Sequence, residues 1–505
     1  MKKINILIFS LVALFTSCNM EKYPYDSNEE SLAIQSESDC RAYRNGIYVN
    51  YRGLFSGSYL IYPMLQGDEF QAVAGFSNSG GDVYMWDLHS NTGIFTSYWA
   101  SHYSIISSTN FLIQECEKLL ANTEISDEDK ELISVYMGEA FFLRAFSYNE
   151  MAIRFCKDYE PDYASSELGL PLVTTYKPSA NGADYPGRST MEATYNRITD
   201  DIKKAEELIT TNGKQNSPYV TKDVVAAFKA RVALEMHDYQ NAATIASNLL
   251  KSTTYKMDDV RNNGETSFAN MWLKDAGTEV LWQIQCDQNQ TASSTITYLL
   301  GTVEGALDYV PTSYIVDGLY DNDHDMRFKV YFKKLNVKSA AGDGELYALN
   351  KYPGNTDYNP GGLRENLFNS PKVFRMAEMY LVAAEAYASI NGGEAEANKY
   401  LNDLRALRIE GWVEQNYSGN ALKDEIMKER LREMYGENTR VTDLKRWHIG
   451  VKRAPAQNSS MTYLPGNSNT EALDMDANDY RMVWAIPQNE MDVNPQLKGQ
   501  QNPGY

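Results

Sequence analysis

Apolar residues recur at helical spacing through most of the chain. Between Asp129 and Phe155, the residues Phe142, Ala145, Phe146, Ala152 and Ile153 fall on one side of a helix, and Ile94–Leu120 carries the same period. These two long segments are predicted to pack as an antiparallel hairpin. Thr190–Ile209 and Thr221–Leu250 form a second set, the latter broken near His237, Asp238 and Tyr239. Further on, Ser370-Pro371 offers an N-cap followed by a first-turn proline, and Asn391-Gly392-Gly393 a stop. Between them Val373, Ala377, Tyr380, Leu381, Ala384 and Ala388 make one stripe. Glu394–Arg408 follows with Ala397, Leu401 and Leu404 inward, then Ala421–Tyr435 with Leu422, Ile426 and Met434 inward, and a shorter helix opens at Thr442.

Small residues flank the break at His237: Ala230 and Ala233 precede it, Ala242 and Ala243 follow it. Two helices can meet closely there across a short turn, which resembles tetratricopeptide hairpins. The predicted fold class is mainly α: tetratricopeptide-like hairpins stacked into a scaffold, with a large insertion of irregular loops and short strands. The stretches 59–96 and 255–369 are the non-helical parts, rich in Gly, Ser, Asn and aromatics, with strand-like runs such as Val280–Ile284. A chain of 505 residues would by length alone suggest about three domains. Helical hairpins at both ends point instead to one body over 18–505, with an N-terminal portion to about 330 and a C-terminal portion beyond it.

The N-terminus sets the compartment. Met1-Lys2-Lys3 is basic, and Ile4–Phe15 is apolar but too short to span a bilayer, so residues 1–17 read as a secretory signal. Leu14-Phe15-Thr16-Ser17-Cys18 resembles a bacterial lipobox, with Phe15 in place of the usual Leu. That resemblance implies cleavage before Cys18 and acylation of its thiol, and several acyl chains together give a stable anchor.

Lys and Arg number 47 against 67 Asp and Glu, a net charge of −20 that repels phosphate backbones, so nucleic acid is not an expected partner. The other cysteines, Cys40, Cys116, Cys156 and Cys286, show no metal-like spacing and are expected to be buried thiols, with a disulfide left open. Among the five histidines there is no H-E-x-x-H, and there is no G-x-S-x-G elbow, so neither a metal site nor a serine hydrolase is predicted. Asp321–Asp325 alternates acids like an EF-hand start, but Met326 occupies the position where the loop needs Gly.

Towards the C-terminus a series of motifs resembles the SusD/RagB family of outer-membrane nutrient-binding lipoproteins. It runs through Arg375–Glu385, Tyr400–Arg405, Glu429–Glu437, Asp443–Trp447, Trp484–Pro487, Asn494-Pro495 and the terminal Gln501–Tyr505. Weaker echoes at Asn45–Tyr48, Gly67–Glu69, Glu139–Arg144, Gly169–Leu172, Arg188 and Asp325–Phe328 extend the likeness over nearly the whole chain. Asn438–Val441 departs from the family's usual run. The resemblance implies no enzymatic activity and no cofactor, a glycan ligand, and delivery to a SusC-like TonB-dependent transporter. A peptide or other nutrient is the alternative cargo. The motif charges Arg375 and Glu378, and Glu429 with Arg432 or Glu433, stand at helical spacing and are expected to tie hairpins together.

A sugar offers apolar C–H faces and hydroxyls, so its site needs aromatic planes beside a few polar side chains. Tyrosine, at 36 residues against 17 phenylalanines, suits such wet surfaces. Tyr84, Trp86, Asp87, His89 and Asn91 supply the combination in one irregular segment, and Trp272, Tyr298 and Tyr309 in the later insertion. For Trp86 a buried position remains open, because Tyr84, Trp86 and Leu88 alternate; Trp99 and Trp282 read as core.

Overall fold

Hydroxyl and carboxylate caps begin the helices where the hydrophobic period begins. Ser36 accepts from the Asp39 N–H at the head of α1 (Glu37–Gly53), Ser126 does so for α5 (Asp127–Phe155), Thr190 for α6 (Met191–Leu208) and Thr221 for α7 (Lys222–Glu235). Asp127, Glu128 and Asp129 crowd the first turn of α5, where the helix dipole favours negative charge. The computed structural model describes residues 33–262, 264–286, 296, 300, 307–358, 367–462 and 474–505, so Cys18 and Tyr298 lie outside the described residues.

The remaining helices are α2 (Ser58–Leu65), α3 (Gly81–Tyr84), α4 (Gly93–Ala121), α8 (Tyr239–Leu249), α9 (Gly264–Leu273), α10 (Met326–Tyr331), α11 (Met376–Ala388), α12 (Glu394–Arg408), α13 (Gly419–Met434), α14 (Arg440–Arg446) and α15 (Gln488–Val493). Packing runs without a break from α4 onto α5, α5 onto α6, α6 onto α7, α7 onto α8, α8 onto α11, and α11 onto both α12 and α13. This is the stacked scaffold expected from the period. The α7/α8 turn is tight because Ala227, Ala230, Ala242, Ala243 and Ala246 are fully buried and leave no side-chain bulk between the helices. One hydrophobic cluster includes residues from Ile34 in the N-terminal segment to Leu497 near the C-terminus.

Short antiparallel strand pairs lie between helices. β1 (Phe70–Ala72) pairs with β3 (Tyr309–Pro311), β2 (Val280–Gln283) with β6 (Lys372–Arg375), β4 (Phe332–Val337) with β5 (Gly344–Leu349), and β7 (Val451–Lys452) with β8 (Asp474–Met475). The β2/β6 pairing corrects one expectation. Helix α11 does not begin at Pro371, because residues 372–375 extend to hydrogen-bond β2, and the helix starts only at Met376. Val373 therefore belongs to a strand, and Arg375 cannot make the helical pair with Glu378.

Arg375 instead joins a dry ionic lattice. Its guanidinium lies 2.8 Å from Glu433 and 3.1 Å from Glu279, with Glu437 also in contact. Arg408 reaches Glu279 at 2.7 Å and Glu433 at 3.1 Å, and Arg327 reaches Glu429 at 2.6 Å, Asp325 at 2.8 Å and Glu433 at 3.1 Å. Burial by itself would raise the Glu433 carboxyl, but Arg408, Arg375 and Arg327 hold it well below its ordinary value. Glu378 pairs with Arg231 of α7 at 2.7 Å, and Arg405 of α12 with Glu429 of α13 at 2.7 Å. The motif charges thus tie hairpins together, with partners mostly distant in sequence.

Asp68 and Glu69, from the Gly67–Glu69 echo, also turn inward. Asp68 pairs with Arg440 at 2.7 Å, within the stretch that departs from the family pattern. One Glu69 oxygen accepts from the Gly436 N–H at 2.9 Å and the other is buried without a partner. Burial, opposed by that Gly436 N–H, pushes the carboxyl up to about 8. A carboxyl whose folded pKa is raised contributes stability that is present below its unfolded pKa and is lost as pH rises through about 8. Between pH 6.5 and 9 this group should cost the parent about 2 kcal/mol, and Glu69→Gln should abolish that share of the decline. Melting curves of both proteins at the two pH values measure it; parallel declines would show that Glu69 is already ionised at pH 6.5.

Cys40, Cys116, Cys156 and Cys286 are all buried and unbridged, with the sulfurs of Cys40 and Cys116 3.8 Å apart. Among the described residues no helix is long and apolar enough to cross a membrane.

Candidate ligand-binding site

The aromatic residues singled out from composition are inside the protein. Tyr84 is fully buried: its ring lies 5.2 Å from Tyr309, Arg453 sits over it at 4.1 Å, and its hydroxyl donates to Gln71 at 2.9 Å. Trp86 is 1 % exposed and donates through Nε1 to the Gln66 carbonyl at 3.1 Å. Its backbone is left-handed, with φ 58°, which turns the indole inward directly after α3. Trp272 is enclosed by Lys351, Lys372 and Arg375, whose cationic groups lie 4.6, 5.1 and 5.4 Å from its ring. Tyr309 lies in β3 and is buried. None of these four rings offers a face to a ligand, which corrects their reading as exposed platforms. Loop composition did not reveal this because β1/β3 pairing and a short helix draw these segments into a second hydrophobic cluster.

Asp87, His89 and Asn91 are exposed. Asp87 and His89 pair at 3.0 Å, and the neighbouring Ser90 carbonyl accepts from the Gln488 N–H of α15 at 2.8 Å. Helix α15 also supplies Glu490 and Val493 to a groove of about 370 Å³ shared with Trp99, Tyr103 and Tyr185. Its polar groups serve the protein itself: the Tyr103 hydroxyl donates to Pro171 O at 2.7 Å and Asn494 Nδ2 to Pro186 O at 3.0 Å. A smaller, partly open pocket of about 120 Å³ lies beside Arg154, Arg231, Glu235 and Asp443.

A larger cleft, about 740 Å³, opens between the α12–α13 loop and residues 321–324. Asn402 Oδ1 accepts from Trp412 Nε1 and the Gln415 N–H, both at 3.0 Å, and Asn398 Oδ1 accepts from the Tyr417 N–H at 2.8 Å. Those two asparagines project one turn apart from α12, so the loop is held in shape before any ligand arrives. The Glu410 N–H donates to His324 O at 3.0 Å and Ile409 bridges to Asp325, which docks the loop on the opposite wall. Half-buried Trp412 and Tyr417 provide the aromatic planes. Arg405 braces them at 5.2 and 5.9 Å from the two rings. Asp321, His324, Glu410 and Gln415 supply exposed donors and acceptors around the opening. The Asp321 carboxylate, hydrogen-bonded at 3.0 Å, raises the His324 imidazole and is itself lowered. These acids therefore face a histidine and Asp325 faces Arg327, rather than converging as in an EF-hand.

Sequence reasoning passed over this cleft. Its signal was present: Trp412 and Tyr417 bracket Gln415 in a non-helical run between two strongly periodic helices.

Comparison with known proteins covers most of the chain. Residues 326–505 match the model of the SusD family, and residues 22–234 match a model described as starch-binding, associating with the outer membrane. SusD-like protein P2 of Formosa agariphila is 24% identical over 89% of this chain and 92% of its own length. A SusD superfamily structure from Bacteroides thetaiotaomicron superposes with a TM-score of 0.78 at 24% identity, covering 93% of this chain and 100% of that one. A SusD-like carbohydrate binding protein from Bacteroides vulgatus gives 0.72 at 19% identity, covering 92% and 98%. The two family models together span residues 22–234 and 326–505, and the chain belongs to the SusD family.

Proposed function

We propose that this protein is a lipid-anchored receptor on the outer face of the outer membrane, which binds a glycan and hands it to a SusC-like TonB-dependent transporter. The observation that carries the binding step is the 740 Å³ cleft, where Trp412 and Tyr417 stand beside the polar groups of Asp321, His324, Glu410 and Gln415. Its volume suits a short run of sugar rings, and its loop is held in place from α12, which lowers the entropy lost on binding. The starch-binding, outer-membrane description of the family model supports both the ligand class and the location. Cys18 supplies the anchor in this reading, and residues 18–505 act as one body with no catalytic role. Asp87, His89 and Asn91, exposed beside α15, and Tyr298 are retained as secondary contacts.

Trp412→Ala tests the cleft. Losing one stacked indole should weaken binding by about ten- to a hundredfold, through about 1–3 kcal/mol of apolar burial. Calorimetric titration with starch-derived oligosaccharides, then with other oligosaccharides, reads the affinity, and a melting curve of the same variant reports whether the loop survives. A glycan that binds the parent and the stably folded variant equally would move the site to another surface.

A further inference from the structure

Two histidines far apart in sequence meet over one pair of carboxylates. His237 ends α7 and His448 follows α14, and both take left-handed backbone, with φ 60° and 54°. Glycine or asparagine usually fills such helix-end positions. Here each left-handed turn brings an imidazole towards the segment after α5, which carries Asp158 and Glu160. Nε2 of His448 lies 2.8 Å from Glu160 Oε1 and 3.2 Å from Asp158 Oδ2, and Nδ1 of His237 lies 3.8 Å from Glu160 Oε2. The ligating atoms of Asp158, Glu160 and His448 all fall within 4.8 Å of one another. Asp158 Oδ2 is buried and faces His448 Nε2 at 3.2 Å without a well-aligned hydrogen bond. The His237 ring is held parallel to Tyr239, 5.6 Å away at 11°. The nearby cation, Lys445, directs its ammonium to the main-chain oxygens of Ile153 and Cys156 rather than to Asp158.

His448 and the two carboxylates form a compact donor set for a borderline divalent metal, and His237 Nδ1, 3.8 Å from Glu160, stands close enough to complete it as a fourth ligand. Around zinc, bonds of about 2.0–2.2 Å set ligand atoms roughly 3.3 Å apart, in the range of the separations seen here. Calcium and magnesium prefer oxygen ligands throughout. We propose that Asp158, Glu160, His237 and His448 form a structural site for a divalent transition metal of the zinc type. Bound there, the ion would clamp the segment after α5 to the ends of α7 and α14. The cluster has no close H-x-x-H or C-x-x-C spacing because its ligands converge only in the folded chain.

The test uses the purified protein stripped with a chelator and then titrated calorimetrically with zinc chloride, with calcium chloride in parallel. One zinc per chain should bind at micromolar concentration or tighter and raise the melting temperature by several degrees, while calcium changes neither. His237→Ala/His448→Ala and, separately, Glu160→Gln should each weaken zinc binding at least tenfold. Cobalt in place of zinc should give the visible absorption of a tetrahedral site in the parent and not in the double variant. Absence of zinc binding by the parent, or zinc binding that the double variant keeps, would overturn the proposal.

Discussion

Glu433→Ala is expected to destabilise the protein by about 3–5 kcal/mol, one of the two largest single-site losses expected in this chain. Glu433 is fully buried and is shared by Arg327, Arg375 and Arg408, each of which also has another acidic partner. Removing it leaves Glu279, Glu429, Glu437 and Asp325 to balance not only Arg327, Arg375 and Arg408 but also Arg405, Arg432 and Lys351, which share Glu429 and Glu437, in a buried place. The cost is mainly the uncompensated charge rather than the lost contacts. Half-exposed Asp403, paired with Lys399 at 2.8 Å, gives the contrast: Asp403→Ala should change stability by no more than about 0.5 kcal/mol. Urea unfolding of both variants against the parent decides the matter, and a Glu433 variant within 1 kcal/mol of the parent would mean that water or rearrangement satisfies the arginines. The same carboxylate has a depressed folded pKa. Its stability contribution is therefore present above the ordinary glutamate range and is lost as pH falls through the folded value.

Trp86→Ala should cost about 3–5 kcal/mol of stability, the usual penalty for emptying a fully packed indole site. The ring is 1 % exposed and its Nε1 bond to Gln66 disappears with it. Arg481 also donates to the Trp86 carbonyl at 3.1 Å, so the change reaches the C-terminal segment. Glycan affinity of the folded fraction should stay at the parent value, since the ring is walled off from every cleft described above. Denaturant unfolding paired with calorimetry at low temperature separates the two effects, and a stable variant with lost affinity would return Trp86 to the binding surface.

The helical scaffold was legible because its signal is local. Each hairpin writes a 3.6-residue period, a cap and a stop into contiguous sequence, as at Ser126 and Thr190. The start of α11 was misread for the opposite reason: Ser370-Pro371 is a sound helix opening, and only β2, some ninety residues earlier in the chain, pulls 372–375 into a strand. The aromatic residues of the two irregular regions were misplaced because composition does not say which face of a loop is covered. Tyr84 and Tyr309 meet ring to ring, and Trp272 is closed off by three cations, two from β6 and Lys351 from just after β5. The Trp412 cleft depends on Asn398 and Asn402 holding a loop and on the loop docking at His324, both tertiary facts. His237 and His448 look isolated in sequence, and their convergence on Glu160 exists only once α7 and α14 are packed.

Capture without chemistry is tested most directly by affinity electrophoresis through gels cast with soluble polysaccharides, followed by chromatography of the same glycans after long incubation with the protein. The expected result is retarded migration in at least one polysaccharide, relieved in the Trp412→Ala variant, with every glycan recovered at its original chain length. Unretarded migration in all of them, or the release of shorter sugars, would contradict it.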